Sequence, residues 1–175
     1  LLEGLSRLSL PAGEKEVDKL KTYIRELNFW NRKLSLVHAE GEELIIRHVL
    51  DSLAAYPFIM DKAGLPDCTI ADVGSGGGFP GIPLSVFLPN NKIFLIERSA
   101  KKADFLSSCS ILLKLDNVAV INKNLEEVNQ QFSVVVFRAF RDFKEYFQKL
   151  ISITETGGCL AAYKGKRETI DKELG

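Results

Sequence analysis

A glycine-rich segment directly after a short apolar run constrains the fold of this chain more than any other feature. Five glycines fall within the eight positions that follow the run Thr69–Val73: Gly74, Gly76, Gly77, Gly78 and Gly81. Glycine has no Cβ, so such a segment can adopt positive φ angles and bring its backbone N–H groups close to a ligand. The position between a strand-like run and a helix-like stretch predicts the turn with which α/β folds bind nucleotide-like cofactors.

Short apolar runs alternate with helix-like stretches in the second half of the chain. The runs have the length and composition of buried strands and cover Ile70–Val73, Ile93–Ile96, Val118–Ile121, Val134–Phe137 and Cys159–Tyr163. Helical character is found between them, near 82–88, 99–115 and 141–152. This alternation predicts an α/β fold with a doubly wound, mainly parallel sheet and helices on both faces.

The residues that precede the first apolar run are predicted to form helices. Apolar side chains recur there at helical spacing in two stripes, over 17–27 and 44–53. Phe29 and Trp30 close the first stripe, so we expect both rings in the core rather than in a surface on which bases stack. These patterns predict a helical N-terminal extension over residues 1–60.

Composition and charge exclude several classes of protein. The 175 residues carry 23 basic and 23 acidic side chains, so any surface that binds nucleic acid must be a local patch. Cys68, Cys109 and Cys159 are widely spaced, which is typical of reduced thiols and argues against a metal site. No apolar run is long enough to cross a membrane. We expect a cytoplasmic, monomeric protein without a metal and without a membrane partner.

Two glycine templates overlap in the glycine-rich segment and indicate different cofactors. Gly76, Gly78 and Gly81 fit the G-x-G-x-x-G fingerprint of enzymes that bind nicotinamide dinucleotides. Asp72 followed by Gly74, Gly76 and Gly78 fits the tighter pattern typical of S-adenosylmethionine-dependent methyltransferases. The glycines alone therefore leave an NAD(P)-dependent oxidoreductase and a methyltransferase both open.

Acidic and proline residues around the glycines favour the methyl donor. Glu97 closes the second apolar run, where a carboxylate binds the ribose hydroxyls of either cofactor. Asp72 ends the first run, within reach of the amino acid moiety of S-adenosylmethionine. Pro80 and Pro83 stiffen the entrance of the following helix more than is usual for a site that binds a pyrophosphate.

Further segments accompany the glycine-rich segment in a fixed order along the chain. They are Trp30-Asn31, Arg47-His48-x-x-Asp51-Ser52, Glu97-Arg98-Ser99-x-x-Lys102, Leu125-Glu126-Glu127, Arg138-Ala139-Phe140 and Lys164-Gly165. Together they resemble the glucose-inhibited division protein B family, which forms 7-methylguanosine in bacterial small-subunit (16S) ribosomal RNA. The resemblance implies S-adenosylmethionine as cofactor and a Rossmann-like class I methyltransferase domain over 61–175. It also implies that the last strands of the family are missing from this chain.

The resemblance assigns roles to residues at matching positions. Contacts to the cofactor are implied for Gly74, Phe79, Glu97, Leu125, Glu126 and Arg138, of which Glu97 binds the ribose and Leu125 and Glu126 lie beside the adenine. Phe79 is expected to stand exposed at the tip of the loop and to pack against the ligand. Arg138 is expected to face the cofactor pocket from the end of the fourth strand.

Guanine N7 carries a lone pair in the plane of the ring and no proton, so methylation there needs positioning rather than a general base. Arg138 and Asp51 are the candidate catalytic residues. Positive charge moves to the purine during the transfer, and Asp72, Asp51 and backbone carbonyls near Arg138 are the candidates to stabilise it. The candidate contacts to 16S ribosomal RNA or the 30S subunit are Arg32, Lys33, Arg47, His48, Arg141 and Lys164. A non-catalytic, ribosome-associated module that binds RNA is the remaining alternative.

Overall fold

Five strands form a parallel sheet in the computed structural model, which describes residues 1–63, 67–138 and 143–163. The strands are β1 (Thr69–Val73), β2 (Lys92–Ile96), β3 (Val118–Ile121), β4 (Phe132–Arg138) and β5 (Thr154–Tyr163). Their order across the sheet is β3-β2-β1-β4-β5. The chain therefore changes direction at β1, and the crevice between neighbouring crossovers opens at the carboxyl ends of β1 and β4.

Helices precede the sheet and connect its strands. They are α1 (Leu2–Arg7), α2 (Glu14–Leu34), α3 (Gly41–Leu44), α4 (Asp51–Ala54), α5 (Tyr56–Ala63), α6 (Gly81–Phe87), α7 (Ala100–Leu112) and α8 (Phe143–Ser152). A π-helical segment, Ile45–Leu50, joins α3 to α4 without a break in the helical dihedral angles. None of the helices in the described ranges combines the length and apolar character that a membrane crossing requires.

Two hydrophobic clusters cover the two faces of the sheet, as the alternation of elements predicts. Ile70 and Val134 belong to the first cluster, whereas the adjacent Ala71 and Val135 belong to the second, because successive side chains of a strand point to opposite faces. The first cluster also contains the buried side chains of α2, such as Leu20. The N-terminal helices therefore share one core with the sheet.

The two aromatic residues at the end of the first helical stripe have different environments. Trp30 packs against the core, with its ring centroid 6.1 Å from that of Phe105. The prediction that Phe29 is buried is wrong, because this side chain is 61% exposed. Phe29 lies two positions after the fully buried Leu27, about 200° around the helix, and therefore faces solvent.

Candidate active site

A cleft of about 630 Å³ opens at the carboxyl ends of the central strands. Its wall includes apolar and backbone groups of Val73, Gly74, Gly76, Ile96 and Leu125, and the charged side chains of Glu97, Arg98, Lys102, Lys123, Glu126 and Arg138. The volume is within the range usual for sites that bind small molecules. Six of the residues predicted to bind the cofactor meet here: Gly74, Gly76, Glu97, Leu125, Glu126 and Arg138.

The glycine-rich loop is attached to the end of the neighbouring strand. The backbone N–H groups of Gly74 and Ser75 both donate to the Ile96 carbonyl, at 2.9 and 3.2 Å. Gly76 has a φ of +55°, and a Cβ built there would have only the Gly74 carbonyl oxygen near it, at 3.7 Å. A side chain at Gly76 would therefore project into the cleft rather than into the protein, so glycine keeps this wall open.

Glu97 joins the loop to the second strand through both of its carboxylate oxygens. Oε2 accepts a hydrogen bond from the Gly76 N–H at 2.9 Å, and Oε1 accepts one from the Ser99 N–H at 2.8 Å. The residue is only 7% exposed, so it is not a solvated carboxylate at a strand end. A carboxylate has about four acceptor positions. Glu97 can therefore hold the loop and still accept hydrogen bonds from the hydroxyl groups of a ligand in the cleft.

Asp72 fixes the exit of the loop and is not among the residues that line the cleft, so its contact with the cofactor stays a prediction. Its carboxylate is fully buried, and Oδ2 accepts a hydrogen bond from the Gly81 N–H at 2.9 Å. Oδ1 is buried and has no hydrogen-bond partner within the described residues. Burial raises the pKa of Asp72 to about 7, although the hydrogen bonds from Gly81 and Ser75 act in the opposite direction.

Phe79 and Gly78 pack behind the loop instead of facing the ligand. The Phe79 ring, only 6% exposed, lies between Tyr23 and His48, with centroid distances of 5.4 and 5.1 Å. The prediction that Phe79 is exposed at the loop tip is therefore wrong. Gly78 has a φ of +95°, and a Cβ there would come within 2.7 Å of Ile82 Cγ1. Both residues are absent from the cleft wall because the helices of the extension cover this side of the loop.

Arg138 and Asp51, the two candidate catalytic residues, lie together at the end of β4. The Arg138 Nη2 atom donates to the Arg47 carbonyl and is 3.3 Å from Asp51 Oδ2. Nη1 is buried and has no partner within the described ranges. Only Arg138 of this pair lines the cleft, and the Asp51 side chain is 52% exposed.

Four of the six residues predicted to bind RNA lie within the part of the chain that the structure describes. Arg47 forms an exposed ion pair with Glu43, at 2.8 Å. His48 packs on the loop, and burial lowers its pKa, which suits the structural role expected for it rather than acid–base chemistry. Arg32 and Lys33 are exposed at the end of α2, away from the cleft wall. Arg141 and Lys164 lie outside the described residues.

The fold and the site agree with a comparison against known protein families. A family model named GidB, with the description "rRNA small subunit methyltransferase G", matches residues 16–174. The chain belongs to this family. A ribosomal RNA small subunit methyltransferase G from Borrelia turicatae is 38% identical over 173 residues, which cover 98% of this chain and 82% of the relative. One from Cellvibrio japonicus is 35% identical over 168 residues, covering 94% and 76%.

Solved structures show the same class of fold. An S-adenosylmethionine-dependent O-methyltransferase from Thermotoga maritima superposes with a TM-score of 0.58 at 19% identity. The match covers 71% of this chain and 47% of the other. The sheet of this GidB-family chain is therefore the Rossmann-like sheet of class I methyltransferases. The alternation of its elements predicted a doubly wound parallel sheet, and the family resemblance implied the methyltransferase fold.

Three cations of the cleft wall were not among the predicted site residues of this GidB-family chain. Arg98 and Lys102 follow the end of β2, and Lys123 follows the end of β3. Within the part of the chain that the structure describes, none of the three forms an ion pair. With Arg138, the wall carries four cations against the two carboxylates of Glu97 and Glu126. Arg98 and Lys123 each stand two positions after a strand end, which is the sequence signal that could have identified them, whereas Lys102 lies in the first turn of α7.

Proposed function

We propose that this chain transfers the methyl group of S-adenosylmethionine to guanine N7 in small-subunit (16S) ribosomal RNA. Family membership supports the reaction class and the RNA substrate. The structural observation that supports the proposal is the hydrogen bond from the Gly76 N–H to Glu97, which holds the carboxylate proposed to bind the ribose beside an open glycine loop. The same membership favours this reaction over the oxidoreductase that the glycine templates left open.

The residues present in the cleft fit S-adenosylmethionine. Glu97 has acceptor capacity left for the ribose hydroxyls, and Gly76 leaves room for the ligand at the loop. Leu125 and Glu126, on the 3₁₀ turn after β3, would border the adenine, and Arg138 would close the wall at β4. The cofactor supplies an electrophilic methyl group carried on a sulfonium. The chain contributes binding and orientation.

Methylation of guanine N7 requires that N7 be aligned with the methyl group, and it does not require removal of a proton. Among the described residues that line the cleft there is no histidine and no cysteine, the groups most suited to base or nucleophilic catalysis. Glu97 holds the loop through hydrogen bonds from two backbone N–H groups, and its remaining acceptor positions are assigned to the ribose. Direct in-line transfer to a held guanine, with the loop and Arg138 as fixed walls, is the reaction that these groups support.

The excess of positive charge at the cleft suits a polyanionic substrate. Arg98, Lys102 and Lys123 stand at the mouth from which RNA would approach, and they are free to contact phosphate groups. We expect a monomer that acts in the cytoplasm on 16S ribosomal RNA or the 30S subunit.

The deciding experiment is methyl transfer from labelled S-adenosylmethionine to 30S subunits, followed by nucleoside analysis. We expect the label in 7-methylguanosine. Label in an exocyclic amine would contradict the N7 assignment, and RNA binding without any methyl transfer would favour the non-catalytic module.

A binding experiment tests the cofactor independently of the RNA. Calorimetry should show that S-adenosylhomocysteine binds and that Glu97→Ala weakens its binding by about tenfold or more, since hydrogen bonds to a charged group are strong. Binding of NADH without binding of S-adenosylhomocysteine would support the oxidoreductase instead.

A further inference from the structure

Arg138 connects the cofactor cleft to the helical extension. It is the last residue of β4 and lines the cleft, yet its hydrogen-bond partner lies on the π-helical segment and its ion-pair partner on α4, both far away in the sequence. These partners are the Arg47 carbonyl and the Asp51 carboxylate. We name this group of three the Arg138 cluster.

The guanidinium of Arg138 is held at one side only. Nη2 faces both acceptors of the cluster, whereas Nη1 is buried without a partner in the described part of the chain. A planar guanidinium has five donors in a fixed fork, so the two acceptors on Nη2 determine the orientation of the entire group. If they move, the face that Arg138 presents to the cleft moves with them.

The helical segment that carries these acceptors is itself attached to the sheet. The Tyr163 hydroxyl, from the end of β5, donates to the Ser52 carbonyl at 2.8 Å. His48 packs against Phe79 of the glycine-rich loop, with a centroid distance of 5.1 Å. The π-helical segment and α4 are therefore in contact with β4, β5 and the loop, the elements that form the cleft.

We propose that Asp51 is a positioning residue: it orients Arg138 at the cleft wall, so that the helical extension sets the affinity for the cofactor without contacting it. Asp51 does not line the cleft, which distinguishes it from a catalytic group that touches the reacting atoms. The proposal rests on the proposed function only in taking this cleft as the binding site of S-adenosylmethionine.

A double-mutant cycle on the full chain tests this role, with calorimetric binding of S-adenosylhomocysteine and no RNA present. Asp51→Asn should weaken binding by about two- to fivefold, the range expected for a partly exposed ion pair. In an Arg138→Gln background the same substitution should have no further effect, because the group that it orients is gone. Asp51→Glu, which restores the charge, should recover part of the affinity.

Glu43→Gln is the matched control. It removes an exposed carboxylate and an ion pair from the same helical stretch, but Glu43 has no contact with Arg138 among the described residues, and binding should be unchanged. Thermal melts of each variant identify any that fail to fold, and Arg138→Lys completes the cycle if Arg138→Gln does not bind.

Two results would overturn the proposal. Unchanged affinity in Asp51→Asn would show that Asp51 orients nothing, and an equal loss in both backgrounds would show that it acts independently of Arg138. Failure of the wild-type chain to bind S-adenosylhomocysteine would instead contradict the proposed function, so the two failures are distinguishable. Unchanged binding with reduced methyl transfer would place Asp51 at the RNA.

Discussion

Gly81 lies where the glycine-rich loop becomes α6, and it has no room for a side chain. A Cβ there would lie 2.2 Å from Leu95 Cδ2 and 2.7 Å from Asp72 Oδ2. Gly81→Ala should therefore destabilise the chain by about 1–3 kcal/mol through overpacking, measured by chemical denaturation. Gly77→Ala is the control within the same loop, because its Cβ would meet ordinary contacts at 3.4 Å and beyond. Equal stability of the two variants would contradict this expectation.

Asp72 should make the stability of the chain depend on pH. Its pKa in the folded state, about 7, lies above the ordinary value near 4, so between these values the folded chain holds a proton that the unfolded chain has released. Stability therefore falls as the pH rises through this window and is level above it. Relative to wild type, Asp72→Asn should gain stability from pH 5 to pH 8, by at most about 1.4 kcal/mol per pH unit.

Denaturation curves of both proteins at the two pH values measure this difference. Glu97 raises and Arg138 lowers the pKa of Asp72, and both remain in the variant, so the difference reports mainly on Asp72 itself. Asp61→Asn, which removes an exposed carboxylate, should keep the pH dependence of wild type. A constant difference between wild type and Asp72→Asn across this range would show that the carboxyl is ionised throughout.

At the scale of elements, α4 is attached to the sheet. Tyr163→Phe removes the hydrogen bond that the hydroxyl at the end of β5 donates to the carbonyl of the fully buried Ser52. Such a hydrogen bond contributes about 0.5–1.5 kcal/mol, so we expect a loss of stability of that size. Hydrogen exchange should increase over Ile45–Ala54 in particular. Tyr56→Phe, whose hydroxyl has no hydrogen bond within the described ranges, should leave both measurements unchanged.

Strands that consist of an apolar run were predicted well from the sequence, whereas polar strand segments and the π-helix were not. The apolar runs located β1 to β3 within one residue. The predicted β5 began at Cys159, whereas the strand begins at Thr154. Its first part was missed because the residues at 155–158 are polar or glycine, and the pairing with β4 shifts register there. Fully buried Leu44 and Val49 stand five positions apart, which matches the i→i+5 bonding of a π-helix, but a helical stripe was the simpler interpretation.

The candidate site divides in the same way. Glu97 could be predicted because a carboxylate at a strand end follows from the chain itself. The orientation of the loop could not, since Phe79 is covered by Tyr23, a residue from α2 that is distant in sequence. Which side of a loop faces the ligand depends on packing of this kind. The proposed division at residue 60 stays a prediction, although the helices before it share the core of the sheet.

At the scale of the whole molecule, the basic and acidic side chains are equal in number but unevenly distributed over the surface. The cleft carries four cations and two carboxylates, so RNA affinity should depend on salt through a few local contacts. Lys123→Gln should lower the slope of log affinity against log salt concentration by about 0.7–0.9, measured with a 16S RNA fragment. Lys92 is the first residue of β2, at the edge of the sheet opposite to the cleft, so Lys92→Gln should keep the slope of wild type. Identical slopes for both variants would exclude Lys123 as a phosphate contact.

The shared core has a consequence for synthesis on the ribosome. Leu20, Tyr23 and Leu27 are fully buried in the finished molecule, against elements that are translated much later, including α6 and α7. At ordinary rates of elongation several seconds pass between the appearance of α2 and that of α7. During this interval the nascent chain presents an uncovered apolar helix face, which makes it a natural client for chaperones that bind emerging polypeptides.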